Sequence, residues 1–210
     1  MEFDKDLAAR QEARAAAKVA KQAQHILADM SQQQLDTIVE AIAKAFSRES
    51  AMLADMAVRE TGFGNVEDKI TKNRFASDTV AEAIRGMKTV GFLREVPGKK
   101  LWEIGVPVGV IAAIVPSTNP TSTVCYKAMI ALKSGNPIIF SPHPKAIVCT
   151  RKAAEIVAEA AQKAGAPMGS ISCLSILLRR SCAACLMHIA AELFIETLSR
   201  RTLWFCVTAA

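Results

Sequence analysis

The chain has 210 residues, 51% of them hydrophobic, which is enough to bury a real core in one large domain or parts of two. Its formal net charge of +6 is modest and no Lys/Arg run is interleaved with aromatic residues, so we expect no nucleic-acid partner. The sequence has no apolar run long enough to span a bilayer and no signal-peptide core, so we expect no membrane contact. Six cysteines without a secretory signal predict a cytoplasmic protein whose thiols are reduced.

The first segment, residues 5–29, is rich in Ala, Lys, Gln and Arg, which are good helix formers. Its only apolar stripe is weak and consists of Leu7, Arg14, Val19, Ala23 and Ile26. We interpret it as a surface helix that leads into the first domain. Ser31 and Gln34 then form a capping-box pattern. They open a helix whose inner face we predict to be Leu35, Ile38, Val39, Ile42 and Phe46.

Two further helices are predicted before residue 87. The first ends before Gly62 and carries Met52, Leu53, Met56 and Ala57. Asn65 is predicted to cap the second, which runs to Gly86 with Ile70, Phe75, Val80 and Ile84 inside. The charged residues of that helix are expected to form a solvated face; they are Glu67, Asp68, Lys69, Lys72 and Arg74.

The next segments predict a hairpin followed by a strand–helix–strand unit. Residues 89–95 and 100–106 flank Pro97-Gly98, a turn signal, and Trp102 is either core or a subunit contact. Residues 108–115 form a nearly continuous apolar run, which is typical of a strand covered on both faces. Asn119 and Pro120 then suit the N-cap and first position of a helix that ends at Gly135. Its inner side is predicted to be Val124, Met129, Ile130 and Leu132.

Residues 138–140 predict a second buried strand, residues 145–164 a helix and residues 171–174 a third strand. Such units favour a parallel sheet, so the fold class is α/β, with N-terminal helices and an incomplete parallel sheet. Four parts are predicted: N-terminal helices (1–86), a hairpin (87–107), a βαβαβ portion (108–174) and an aberrant tail (175–210).

Ligands of open parallel sheets lie beyond the carboxyl ends of the strands, where loops lead into helices. The loop from Ile114 to Asn119 is such a place, and it is followed by several hydroxyl side chains. Neither a G-x-G-x-x-G fingerprint nor a P-loop is present. The alternative is that these hydroxyl groups only cap a helix.

Two motifs carry a resemblance to a known family: I-V-P-S-T-N-P-T-S-T (114–123) and I-I-F-S-P-H-P (138–144). They resemble the CoA-acylating aldehyde dehydrogenases, which include acetaldehyde and propionaldehyde dehydrogenases and one half of the bifunctional aldehyde-alcohol dehydrogenases. The likeness extends to residues 56–77 and 165–174 and covers most of residues 7–174. It implies an aldehyde dehydrogenase-like fold whose parallel sheet is an incomplete Rossmann-like, NAD-binding portion.

The resemblance also implies an oxidoreductase that converts a short aliphatic aldehyde to its acyl-CoA, with NAD or NADP as cofactor and CoA as co-substrate. A cysteine thiolate attacks the aldehyde and hydride passes to the cofactor. That cysteine lies beyond this chain in the family, so we expect the chain to be an N-terminal part, inactive alone. Cys125, Cys149 and Cys173 are assigned to packing.

Site residues follow from the same resemblance. Ile114, Val115, Pro116, Ser117, Thr118 and Asn119 would line the nicotinamide–ribose side, and Ser141 and Pro142 would flank the adenosine. Asn119 is the candidate to support a developing oxyanion. The hairpin corresponds to an oligomerisation arm, which implies a homo-oligomer. Some family members in bacterial microcompartments carry an N-terminal docking helix. Residues 5–29 could therefore be such a docking helix, and the alternative to a cytoplasmic location is a bacterial microcompartment.

From Ser175 onward the sequence contains no Gly, Pro, Lys, Asp or Asn, and the family's Gly-rich turn is missing. We interpret this tail as foreign to the family. Cys182, Cys185 and His188 do not predict a metal site, because no fourth ligand has a suitable spacing. The alternative to an enzyme is a non-catalytic cofactor-binding or assembly protein.

Overall fold

A computed structural model describes residues 5–98 and 101–175. The N-terminal helices are α1 (Lys5–Ala28), α2 (Gln32–Arg48), α3 (Ser50–Thr61), α4 (Val66–Arg74) and α5 (Val80–Ile84), and a π-helical turn, Phe75–Thr79, joins the last two. Two hairpin strands follow, β1 (Gly91–Val96) and β2 (Leu101–Gly105). The remaining elements are β3 (Ile111–Ile114), α6 (Pro120–Lys133), β4 (Ile138–Ser141), α7 (Ile147–Lys163) and β5 (Ile171–Cys173).

The central feature is a parallel sheet in the order β3-β4-β5. Ile111 pairs with Ile138, and Ile138 pairs with Ile171. The predicted parallel sheet is therefore confirmed, although β3 begins at Ile111 and not at the predicted residue 108. No described helix combines the length and the apolarity that a bilayer span requires.

Both faces of the sheet are covered, as a parallel sheet requires. Ile138 and Phe140 of β4 belong to the main core, whereas Ile139, between them, packs with alanines of α1. This alternation follows from the two-residue period of a strand. Helix α1 therefore closes one face of the sheet, and the main core fills the other.

The apolar stripe predicted for α1 is wrong for its large residues and right only for Ala23, which is buried. Leu7, Val19 and Ile26 are 67%, 43% and 54% exposed. The buried stripe consists almost wholly of alanines: Ala9, Ala13, Ala17, Ala20, Ala23 and Leu27. Small side chains allow the helix backbone to approach the sheet closely. The helix also packs tightly on the loop before β5, since a Cβ atom on Gly169 would lie 2.5 Å from Cγ1 of Val19.

The main core is built on α2, and the predicted capping box and inner face of this helix are confirmed. Ser31 accepts a hydrogen bond from the Gln34 backbone N–H, and the Gln34 side chain accepts one from the Ser31 backbone N–H. The five predicted inner residues of α2 are all buried. They share one cluster with Val124, Met129 and Leu132 of α6. Ile130 is 49% exposed, so its predicted inward position is wrong.

The segment from Asn65 to Gly86 differs from its prediction. Asn65 caps α4 as expected, with its Oδ1 accepting from the Asp68 N–H at 2.8 Å. The π-helical turn follows α4 and changes the 3.6-residue period only for the residues after Phe75. Phe75 is 60% exposed, because it lies five residues after Ile70 and therefore does not share one α-helical face with it. Val80 and Ile84 pack against the main core as predicted, and three polar residues are buried as well: Lys69, Asn73 and Ser77.

The hairpin is antiparallel, as predicted, with Phe92 opposite Ile104. Trp102 is 66% exposed and makes an edge-to-face contact with Phe92 at 6.3 Å. Trp102 is therefore no core residue of this chain, and its role as a subunit contact stays a prediction. Residues 176–210, with Cys182, Cys185 and His188, lie outside the described residues.

Candidate functional site

The two loops predicted to form the site meet at one edge of the sheet. Ile114 and Ser141, the last residues of β3 and β4, are register partners. The next residue, Val115, donates its backbone N–H to the Ser141 carbonyl oxygen at 3.0 Å. The parallel pairing thus brings residues 114–119 next to residues 141–142 at the carboxyl edge, where ligands of such sheets bind.

The predicted site residues differ in how much of them a ligand could reach. Ile114 is 56% exposed although it ends a core strand. Pro116 and Thr118 are exposed, and Ser117, Asn119 and Ser141 are half-buried. The side chains of Val115 and Pro142 are buried and help to fix the two loops from beneath. The reachable part of the edge therefore combines an apolar side chain with hydroxyl and amide groups.

Asn119 occupies the N-cap position of α6, but its side chain makes no capping hydrogen bond. Its carbonyl oxygen accepts from the backbone N–H of Thr123 at 3.2 Å and from the hydroxyl of Thr123 at 2.6 Å. Ser122 Oγ also donates to it, at 3.4 Å. The hydroxyls of Ser122 and Thr123 thus donate to a carbonyl oxygen, whereas capping requires an acceptor for the free N–H groups of the helix. These hydroxyls therefore do not cap α6, and the Asn119 amide does not cap it either.

Several hydrogen-bond donors at this edge have no partner among residues 5–98 and 101–175. They are the backbone N–H groups of Ser117, Thr118 and Asn119, together with the Nδ2 group of Asn119. The positive end of the α6 dipole adds to this donor-rich surface. Such a surface can hold an oxygen that carries partial or full negative charge.

Helix α4 contributes three residues to the site that the sequence prediction missed. Lys69 Nζ donates to the Thr118 carbonyl oxygen at 2.7 Å, and Lys72 Nζ donates to Oδ1 of Asn119 at 3.3 Å. Asn73 Oδ1 accepts from the hydroxyl of Thr121 at 2.9 Å. The expectation of a solvated face is wrong for Lys69, which is 6% exposed. The positions i, i+3 and i+4 lie on one helix face, and this spacing was the available signal.

The electrostatics of this contact are unusual. Lys69 is buried beside Lys72, and no ion pair joins either lysine to a described acidic side chain. Burial, followed by the charge of Lys72, lowers the pKa of Lys69 below its usual value. Lys127 adds a third ammonium group and donates to the Ile114 carbonyl oxygen at 3.0 Å. The site is therefore positively charged.

The described cysteines are placed in the interior. Cys125 and Cys149 are fully buried and Cys173 is half-buried. Burial raises the pKa of Cys125, and it raises the pKa of Cys149 and of Cys173 to about 12. A reactive cysteine needs the opposite shift. Within the described part of the chain, no cluster of three or more His, Cys, Asp or Glu side chains could hold a metal ion.

Two surface depressions lie away from this edge. One, of about 720 Å³, runs along α2 from Gln32 to Lys44. The other, of about 530 Å³, lies between α2 and α7 and is lined by charges of both signs. Neither lies at the carboxyl edge of the sheet, where ligands of such sheets bind, so we place the candidate site at that edge.

A parallel sheet with a donor-rich loop at its carboxyl edge is typical of nucleotide-binding α/β proteins. Residues 4–189 match the model of the aldehyde dehydrogenase family. The chain belongs to that family.

The similar proteins include acetylating members of this family. The chain is 49% identical over 147 residues to the bifunctional aldehyde-alcohol dehydrogenase of Escherichia coli K12, which covers 70% of this chain and 16% of that protein. The crystal structure of an acetylating aldehyde dehydrogenase from Geobacillus thermoglucosidasius is 52% identical, with a TM-score of 0.82. It covers 85% of this chain and 39% of that one. The chain therefore spans well under half the length of these relatives, and the predicted aldehyde dehydrogenase-like fold is confirmed.

Two more distant structural neighbours contain ligands. The propionaldehyde dehydrogenase of Rhodopseudomonas palustris, with bound CoA and an acylated cysteine, is 28% identical over 82% of this chain and 38–39% of that chain, with a TM-score of 0.68. An engineered glycolyl-CoA reductase with bound NADP⁺ is 26% identical over 91% of this chain and 40% of that chain, with a TM-score of 0.66.

Proposed function

We propose that the complete protein containing this chain is an acylating aldehyde dehydrogenase that converts a short aliphatic aldehyde to its acyl-CoA. The observation that carries the proposal is the meeting of loops 114–119 and 141–142 at one sheet edge, with unpartnered N–H donors, in a chain of this family. Its similarity to acetylating relatives supports the choice of CoA as acyl acceptor.

The residues at the edge fit a nicotinamide cofactor, NAD or NADP. Ile114 offers exposed apolar surface, and the N–H groups of residues 117–119 offer donors next to it. We propose that these residues hold the nicotinamide–ribose side and that Ser141 and Pro142 flank the adenosine. The cofactor, when bound, supplies the hydride acceptor; the described residues supply binding and orientation.

Asn119 is proposed as the catalytic residue of this portion. Its Nδ2 group has no partner within the described residues, while its Oδ1 is engaged by Lys72. An amide donor that is already oriented can stabilise an oxyanion without reorganisation at the moment of reaction. The described part of the chain offers no exposed thiol of lowered pKa, so we assign the nucleophile to the rest of the complete protein.

We further propose a homo-oligomer in which the hairpin contacts a second copy. Exposed apolar side chains occur along both strands and just beyond them: Phe92, Leu101, Trp102, Ile104 and Val106. An exposed strand edge with apolar side chains is typical of a surface that a second protein chain covers. The predicted compartment is the cytoplasm, with a bacterial microcompartment as the alternative.

The test is an assay of a complete enzyme made by joining residues 1–174 to the remaining C-terminal part of the Geobacillus thermoglucosidasius relative. NAD⁺ and NADP⁺ reduction with acetaldehyde is measured with and without CoA. We expect steady-state turnover only with CoA. Equal rates without CoA would contradict the acylating assignment. Cofactor binding without turnover in either condition would favour a non-catalytic cofactor-binding protein.

A further inference from the structure

The contact between α4 and the Asn119 loop has a regular construction. Lys69, Lys72 and Asn73 lie on one face of the helix, and each bonds a successive part of the loop: Thr118, Asn119 and Thr121. Asn73 is itself fixed, because its Nδ2 donates to the Ser50 carbonyl oxygen at 3.0 Å. The loop is thus attached to α4 at three points, and α4 is anchored to the start of α3.

A buried lysine in this attachment lowers the stability of the fold. Lys69 is 6% exposed, no carboxylate among the described residues pairs with it, and its Nζ bonds a neutral carbonyl oxygen. Burying an ammonium group without a counter-charge costs free energy. An apolar residue would fill the same space at no such cost, so packing alone does not account for a lysine at this position.

The second lysine fixes the direction of the Asn119 amide. An ammonium group carries three donors and no acceptor, so it can bond only the Oδ1 side of the amide. The 3.3 Å bond from Lys72 therefore directs Oδ1 toward α4 and leaves the Nδ2 hydrogens pointing away from it. A cation on the oxygen also polarises the amide and strengthens Nδ2–H as a donor.

We propose that Lys72 is the positioning residue of Asn119, orienting and polarising its amide, and that Lys69 holds the loop backbone beneath it. The catalytic meaning of this arrangement rests on the proposed function, in which Asn119 Nδ2 donates to an oxyanion. The arrangement itself belongs to the described residues and can be tested without catalysis.

The test uses the side-chain amide signals of Asn119 in ¹⁵N-labelled 210-residue chain, identified by their loss in Asn119→Ala. In Lys72→Met we expect these signals to shift and their hydrogen exchange to accelerate several-fold. Lys72→Arg, which keeps a cation with donors, should restore most of the original shift. Since Lys72 is exposed on a helix, Lys72→Met retains the fold, which the dispersion of the other signals verifies.

Arg74→Met is the matched control, because Arg74 is an exposed cation on the same helix with no bond to the loop. It should leave the Asn119 signals unchanged. Asn119 signals that are the same in Lys72→Met as in the original chain, or that move equally in Arg74→Met, would overturn the proposal.

A second arm uses the complete enzyme. Lys72→Met should lower kcat about tenfold with little change in KM. The substitution removes the charge-assisted hydrogen bond to Asn119 Oδ1, and Nδ2 of the same amide is the proposed donor to the transition state. In an Asn119→Ala background the same change should have no further effect. A full additional loss in that background would contradict the role. An inactive parent enzyme would refute the proposed function and leave the signals of Asn119 as the deciding measurement.

Discussion

Asn119 holds the cap position of α6, yet its side chain does not cap the helix. Removal of this side chain should therefore affect catalysis more than stability. In the complete enzyme we expect Asn119→Ala to lower kcat by about 10²–10³ with a smaller effect on KM, which is typical of a lost oxyanion donor. Steady-state kinetics and a melting curve measure the two effects side by side.

Ser31→Ala provides the matched control, since Ser31 caps α2 through its side chain, away from the site. It should cost about 1 kcal/mol of unfolding free energy and leave kcat unchanged. If Asn119→Ala instead behaves like Ser31→Ala, with a lowered melting temperature and unchanged kcat, then Asn119 has only a structural role.

The described thiols should be unreactive in the folded chain. Burial, the hydrogen bond to Glu60 and the charge of Glu60 raise the pKa of Cys149 to about 12, and burial raises the pKa of Cys173 to about 12. At pH 8 such a thiol is ionised in about one molecule in ten thousand, and the thiolate fraction rises tenfold per pH unit. We therefore expect Cys125, Cys149 and Cys173 to resist iodoacetamide at pH 8, as read by peptide mass spectrometry.

The unfolded chain is the control for this labelling, and all six of its cysteines should be alkylated rapidly in denaturant at the same pH. Labelling of Cys125, Cys149 or Cys173 in the folded chain at the rate of the unfolded one would contradict their assignment to packing. It would also reopen the question of a nucleophile within this chain.

At the scale of the elements, an ion pair between the buried Lys133 and the half-buried Asp36 joins α2 to the end of α6. Lys133 Nζ donates to Oδ1 of Asp36 and to the Arg85 carbonyl oxygen, at 2.7 and 3.2 Å. Asp36→Ala would leave the Lys133 charge buried, and we expect a loss of about 3 kcal/mol. This value is at the low end for a buried pair because the Asp36 side chain is 36% exposed and water can partly replace it.

Lys133→Met should lower the unfolding free energy less than Asp36→Ala, since it removes the charge and keeps most of the length of the side chain. Asp36 would then retain its bond from Gln32 Nε2, at 2.8 Å, and its contact with water. Urea unfolding of both variants measures the difference. Equal losses, or a larger loss for Lys133→Met, would show that the buried charge is not what makes the pair important.

The elements that the sequence predicted well are those in which one strong local signal decides. The capping box at Ser31 and the five-residue apolar face of α2 are examples, and so are Gly135 and the parallel strands. The errors fall where tertiary contact overrides pattern. A stripe of alanines in α1 has too little hydrophobicity to be recognised, although it packs closely on the sheet. In α4 the inner positions Lys69 and Asn73 are polar, so an apolar pattern does not reveal them.

The candidate site was also predicted only in part: its two loops were predicted, and the residues of α4 were missed. Its two loops follow directly from the strand ends, and their meeting follows from parallel pairing. The lysines of α4 were missed because charged residues on a helix are usually solvated, and only the fold shows that this face lies against the loop.

For the whole molecule, the central claim is that the edge formed by residues 114–119 and 141–142 receives the cofactor. Hydrogen–deuterium exchange of the complete enzyme, with and without NAD⁺ or NADP⁺, tests it directly. The backbone N–H groups of Ser117, Thr118 and Asn119 have no partner within the described residues and should exchange fast in the free enzyme. We predict that bound cofactor slows their exchange and leaves the α2 depression, residues 32–44, unchanged. Bound cofactor with no protection at residues 117–119, or with protection confined to α2, would contradict the claim.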